Sequence, residues 1–141
     1  MPWCVSFEIW GEEFRPSRVQ FGFTEQHDPG VIGTLGRYRG QPMPYGSASY
    51  VVPPSVPNGE RIGHIVRTME PILPSIREAG ASEWHISVGR FYHAQCNEEY
   101  SLQELQLITR LGCGFIYSAY SVTEAEEREL EQKYEDFKHE V

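Results

Sequence analysis

WHISVGRFYH, residues 84–93, decides how this chain folds. Trp84, Ile86 and Val88 alternate with His85, Ser87 and Gly89, and the pattern runs on to Phe91 and His93. Period two is the mark of a strand with one buried face, so His85 and Ser87 read as residues on the opposite, outward face. WCVSFEIW (3–10) carries the same alternation, with Val5, Phe7 and Ile9 on one side and Cys4, Ser6, Glu8 and Trp10 on the other. SASYVV (47–52) and CGFIYSAY (113–120) complete a set of firm strands. Between them, residues 24–46 are punctuated by HDPG, by Gly33, Gly36, Gly40 and Gly46, and by Pro42 and Pro44. VIGTL is the one short strand expected there.

The helices are equally legible. FRPSRVQF offers a short helical turn entered through Pro16. GERIGHIVRTMEPILPSIREAG places Ile62, Ile65, Val66, Met69, Ile72, Leu73 and Ile76 on a single apolar stripe. Pro71 and Pro74 each cost about 3 kcal/mol in a helix interior, which predicts a kink or restart near Met69–Glu70. SLQELQLITRLG has Ser101 as N-cap, Glu104 closing a capping box, and Tyr100 with Leu105 as the hydrophobic staple. Leu102, Leu105, Ile108 and Leu111 are expected to face inward, with Gly112 ending the helix. A second capping box, Thr123 with Glu126, opens an acidic helix whose sparse stripe is Leu130, Tyr134, Phe137 and Val141. That helix either docks back on its own domain or joins two copies into a homodimer.

The expected fold class is therefore α+β: a mixed or antiparallel sheet with two amphipathic helices packed on one face, plus the acidic C-terminal helix. Residues 1–122 form the domain and 123–141 the helical extension. A chain of 141 residues suits one core. Three cysteines without a CxxC spacing argue against a disulfide scaffold and for a reducing, cytoplasmic setting. Neither a secretory leader nor a membrane-length apolar run is apparent. The net charge is −8, of which residues 123–141 carry −5 from eight acidic and three basic side chains. Such a chain is repelled by nucleic-acid phosphates and drawn to basic partners.

In search of chemistry, HIS at 85–87 is half the signature of the two-histidine phosphoesterases. Those enzymes need one His-x-Ser/Thr on each of two strands so that two imidazoles flank the phosphate. The remaining histidines lie in EQHDP, IGHIV, FYHAQ and FKHEV, none with Ser or Thr two residues on. His93 and Cys96 are an isolated H-x-x-C pair without a companion pair of metal-ligand spacing. Cys4 and Cys113 fall within or beside strand patterns, where a packed thiol is ordinary. GTLGRYRG is only a glycine-spaced loop. No catalytic residue, metal or cofactor is assigned on these grounds.

The blocks FRPSRV, the helix after NGE, and above all EEYSLQELQLITRLGCGFIYSAY resemble the bacterial domain-of-unknown-function family 4279, over roughly residues 4–120. The last block is similar to that family's capped helix leading into an aromatic-ended strand. TEQHDPG stands where a basic Lys-Gly-Asp turn is frequent in the family. The resemblance implies a small α+β fold and carries no catalytic residues.

A non-enzymatic binding protein is thus expected, of the immunity or antagonist type, whose partner is another protein. The candidate contact residues are Glu8, Trp10, His85, Ser87, Phe91 and His93 on the sheet face, with Arg37, Tyr38 and Arg39 in the glycine-rich loop. The alternative is a small-ligand or nucleotide-signal sponge in which Arg37, Arg39 and Arg90 hold phosphates and sheet aromatics stack a base. A phosphoesterase built on His85 is the third reading.

Overall fold

The computed structural model describes residues 3–140, with side chains from Cys4 to Asp136. The Phe137 and Val141 positions of the C-terminal stripe lie outside the described side chains. Five strands form one mixed sheet: β1 (Trp3–Gly11), β2 (Glu25–His27), β3 (Gly46–Val51), β4 (Glu83–Tyr92) and β5 (Gly114–Ser121). Their order is β2-β3-β1-β4-β5. All neighbours are antiparallel except β4 and β5, which run parallel with α3 (Leu102–Arg110) as their crossover.

The alternation read from the sequence is the register found. Phe7 lies opposite Ile86 on one side and Tyr50 on the other, while Val5 lies opposite Val88. Val5, Phe7, Ile86 and Val88 are buried, and Tyr50 partly so, against Ile62, Ile65, Val66, Met69, Leu73 and Ile76 of the long helical segment and against Ile108 and Leu111 at the end of α3. That segment is α1 (Arg61–Met69), a 3₁₀ turn over Glu70–Ile72, and α2 (Leu73–Glu78). The restart falls where the prolines require it. Pro74 sits in the first turn of α2, where a missing N–H has no intrahelical acceptor to lose.

Two details depart from expectation. The inward stripe of α3 is rotated: Leu107, Ile108 and Leu111 pack, whereas Leu102 and Leu105 are 71% and 48% exposed. The capping box itself is present, with Ser101 Oγ accepting from the Glu104 amide and Glu104 from the Ser101 amide. Tyr100 turns to Phe115 instead, ring centroids 5.0 Å apart. In addition, VIGTL pairs only through isolated bridges, Ile32 with Pro42 and Gly33 with Arg39, and β2 forms earlier, at Glu25–His27.

The acidic helix α4 (Glu124–Glu140) opens on its Thr123–Glu126 box. It reaches back to the domain through Tyr134, whose hydroxyl donates to the Pro54 carbonyl at 3.1 Å and whose ring lies beneath the Arg61 guanidinium. Arg61 is 1% exposed, and its Nε donates to the Val56 carbonyl at 2.9 Å. Through Tyr134 the extension packs on its own domain within this chain. No helix among the described residues is long and apolar enough to cross a membrane.

Candidate functional site

With α1, α2 and α3 packed on one side, the other side of the sheet is left without their cover. Pairing places its residues in rows. Glu25, Ser49, Glu8, His85 and Gly114 form one; His27, Ser47, Trp10 and Glu83 form the next. Ser6, Ser87 and Ile116 lie in a third, and Phe91 with Tyr120 close the face at its far end, stacked at 5.3 Å. Glu8 is the hub of the polar floor, since its Oε1 accepts from Ser6 Oγ at 2.8 Å and from Ser49 Oγ at 2.9 Å. His27 Nε2 shares a hydrogen bond with Ser47 Oγ at 2.8 Å.

The loop between β2 and β3 forms a wall on this floor. It folds on itself through Gly30 N–H to Met43 O, Met43 N–H to Val31 O and Gly33 N–H to Gln41 O, at 2.7–2.9 Å. Positive φ at Gly30, Gly36 and Gly40 permits the reversals. Asp28 fixes the base of the wall, because its carboxylate accepts the Ser17 hydroxyl and the Ser17 amide. Partial burial opposes ionisation there, but Ser17, Arg15 and Arg18 together hold the Asp28 carboxyl below its ordinary range. The wall and floor enclose a cleft of about 520 Å³ lined by Glu8, Glu25, His27, Leu35, Ser47 and Ser49, among others. Beside it, Tyr45 gathers Trp10, His27 and Tyr38, with ring centroids 5.5–6.1 Å away.

The sequence-derived residues divide accordingly. Glu8, Trp10, His85, Ser87 and Phe91 do share the open face. Tyr38 joins through the aromatic cluster, and Arg37 lies over the Tyr38 ring at 5.6 Å. Arg39 is exposed at the loop's return. Two residues do not belong. Arg90 follows Val88 by two and points to the helix side, where it pairs with Glu98 and donates to the Asn97 carbonyl at 3.0 Å. His93 lies past the end of β4 and approaches the Val122 carbonyl at 3.3 Å. His27, Tyr45, Ser47, Ser49 and the apolar loop tip are not among the sequence-derived candidates: EQH is too short and polar for alternation to announce, SASYVV reads as a strand without showing which neighbours its serines meet, and the loop's fold is set by glycine φ values that letters alone do not give.

No second imidazole faces His85 among the described residues. His27 is three strands away, about 14 Å at the usual spacing, and His64 is on α1 across the sheet. His64 instead meets Tyr50, with Nε2 and the hydroxyl 2.8 Å apart. Nor do the described residues contain a group of three or more His, Cys, Asp or Glu able to hold a metal ion. Comparison with known proteins returns no matching family model, curated protein or solved structure.

Proposed function

We propose that this protein binds another protein, without chemistry, by seating a basic segment of that partner on the open sheet face. The observation that carries the reading is the composition of the face. Its strand positions hold Glu8, Glu25 and Glu83 but neither Lys nor Arg, and beside them stand Val31, Ile32 and Leu35, which are 47%, 56% and 83% exposed. Three carboxylates on a hydroxyl-lined floor attract cations and repel phosphates. Exposed aliphatics on a glycine-braced loop give a partner's apolar side chains something to bury against. The acidic α4 adds to the same field. A nucleotide-holding arrangement has less support, because Arg90 is committed to the far side of the sheet while Arg37 and Arg39 stand on the wall.

The test is selection from a randomised peptide library displayed on phage, panned against the purified chain at low salt. Enriched peptides that combine Lys or Arg with Leu or Phe, and that lose affinity for Leu35→Asp, support the reading. Burial of a leucine stabilises by about 1.5–3 kcal/mol, so the expected loss is roughly ten- to a hundredfold. Enrichment of acidic peptides, or equal binding to Leu35→Asp, overturns it.

A further inference from the structure

The two edges of the sheet are treated differently. β2, at one edge, has three residues, carries Glu25 and is followed at once by Asp28 and Pro29. Short, charged edges interrupted by proline are how proteins prevent strand addition. β5, at the other edge, has eight residues, GFIYSAYS, with no charge and no proline. Among the described residues it pairs with β4 alone. It is also held rigid, since Tyr120 stacks on Phe91 and Phe115 meets Tyr100 edge-on. Its backbone hydrogen-bonding groups on the outer side are thus a preformed template.

The surroundings continue this character into both layers. Ile116 and Tyr120 on the open face are 46% and 52% exposed, and Leu102 and Leu105, on the helix that leads into β5, are more so or comparable. α4, which starts just beyond β5, docks through Tyr134 at Pro54 and Arg61, in the segment that follows β3 rather than along β5. The edge is left uncovered by it.

We infer that β5 pairs with β5 of a second copy of this chain, antiparallel about a twofold axis, joining two five-stranded sheets into one of ten strands. The charge distribution selects this occupant. Copies carrying −8 each repel one another over most of their surface, and the uncharged β5 edge is where that repulsion is least. A twofold axis also sets like against like, which suits a strand whose exposed side chains are all apolar or hydroxylic. An eight-residue strand is about 27 Å long. With a sheet-plus-helix depth of roughly 20 Å it offers about 540 Å² per copy, near the lower bound for a specific interface. The dimer is accordingly weak, forming in the micromolar to submillimolar range.

The experiment is sedimentation equilibrium of the whole chain from about 5 μM to about 500 μM, at low and high salt. Expected is a monomer–dimer equilibrium that tightens as salt screens the like charges, the opposite of the salt response of a basic partner, so the two readings fail separately. Ala119→Lys and Ile116→Lys, each checked for native circular dichroism, abolish the dimer, whereas Gln26→Lys on the β2 edge leaves it intact. Hydrogen exchange is the second readout: amides within 114–121 slow at high concentration in the wild-type chain. A chain monomeric throughout, a dimer unaffected by both β5 lysines, or one with unchanged exchange at β5 overturns the inference.

Discussion

Replacing Gly46 by alanine is the sharpest perturbation of the frame that holds the open face. A Cβ built on Gly46 lies 1.6 Å from the Phe14 carbonyl oxygen and 2.7 Å from its carbon. Ordinary contacts begin near 3.4 Å, so backbone must move by well over 1 Å. It has little room to do so. Phe14 is fully buried, its amide donates to the Gly11 carbonyl, and the next amide donates to Ala79. Gly11 and Gly80 close on the same turn, with built Cβ atoms 2.6 Å and 2.4 Å from the Gly80 and Glu13 oxygens. Overpacking costs about 1–3 kcal/mol, and partial expulsion of Phe14 adds about 1.5–3 kcal/mol, so roughly 4 kcal/mol is expected. At about 2.1 cal/mol/K per residue, the 141 residues give an unfolding entropy near 300 cal/mol/K and a Tm lower by about 13 °C. Tyr45 precedes Gly46 and packs on Trp10 at 5.7 Å, so tryptophan fluorescence changes too. The control is Gly22→Ala, where a Cβ meets nothing within 4 Å and φ is not left-handed; it is neutral or stabilises by about 0.4–1 kcal/mol. Thermal and urea unfolding of both variants decide the matter. Gly46→Ala within about 1 kcal/mol of the wild-type chain would mean that the Phe14 backbone is not packed closely against Gly46.

Other consequences are smaller. Ser101→Ala removes the N-cap of α3 and costs about 1 kcal/mol, or about 3 °C in Tm, read by calorimetry. Burial and then Arg67 lower the His64 pKa in the folded chain. Its neutral form is favoured there, so its share of stability is intact above about pH 6.5 and declines as pH falls from there toward the lowered folded value. Urea midpoints across pH 7 to 5 for the wild-type chain and His64→Phe check this, and an equal slope in both contradicts it. Tyr134→Ala loses the hydroxyl bond to Pro54 and the ring beneath Arg61; amides of α4 then exchange faster while β1 and β4 keep their protection. Because the floor carries carboxylates, mononucleotides at millimolar concentration leave Tm unchanged, whereas a ligand at 100 times its Kd raises stability by about 2.7 kcal/mol.

Most of the fold was legible because the forces that make it are local or periodic. Alternation through Val5, Phe7 and Ile9 and through Trp84, Ile86 and Val88 gave two central strands and their faces. The stripe from Ile62 to Ile76 survived two prolines because its apolar phase did. Ser101 and Thr123 announced two helix starts through hydrogen bonds made within four residues. What was not legible depends on distant partners. Leu102 and Leu105 fit an inward helical spacing as well as Leu107 and Ile108 do; which side packs is decided by where β4 and β5 place the helix. Arg90 suits a phosphate by its type, although its parity with Val88 puts it on the helix side. The open face is half legible: Glu8, Trp10 and His85 follow from alternation, but of these only Glu8 lines the cleft, whose wall comes from Gly30, Gly36 and Gly40 reversing a segment that looks merely irregular.

The central claim, that recognition occurs on the open face by charge and apolar contact rather than by chemistry at His85, has a direct test. Isotope-labelled protein is titrated with the most enriched basic peptide from the display selection while amide chemical shifts are followed, at low and high salt. Expected are shifts gathered at Glu8, Glu25, Ser49 and residues 31–35, an affinity that falls steeply with salt, and His85→Ala binding within about twofold of wild type, below about 1 kcal/mol. Shifts confined to the helix layer, or binding indifferent to salt, would contradict the claim.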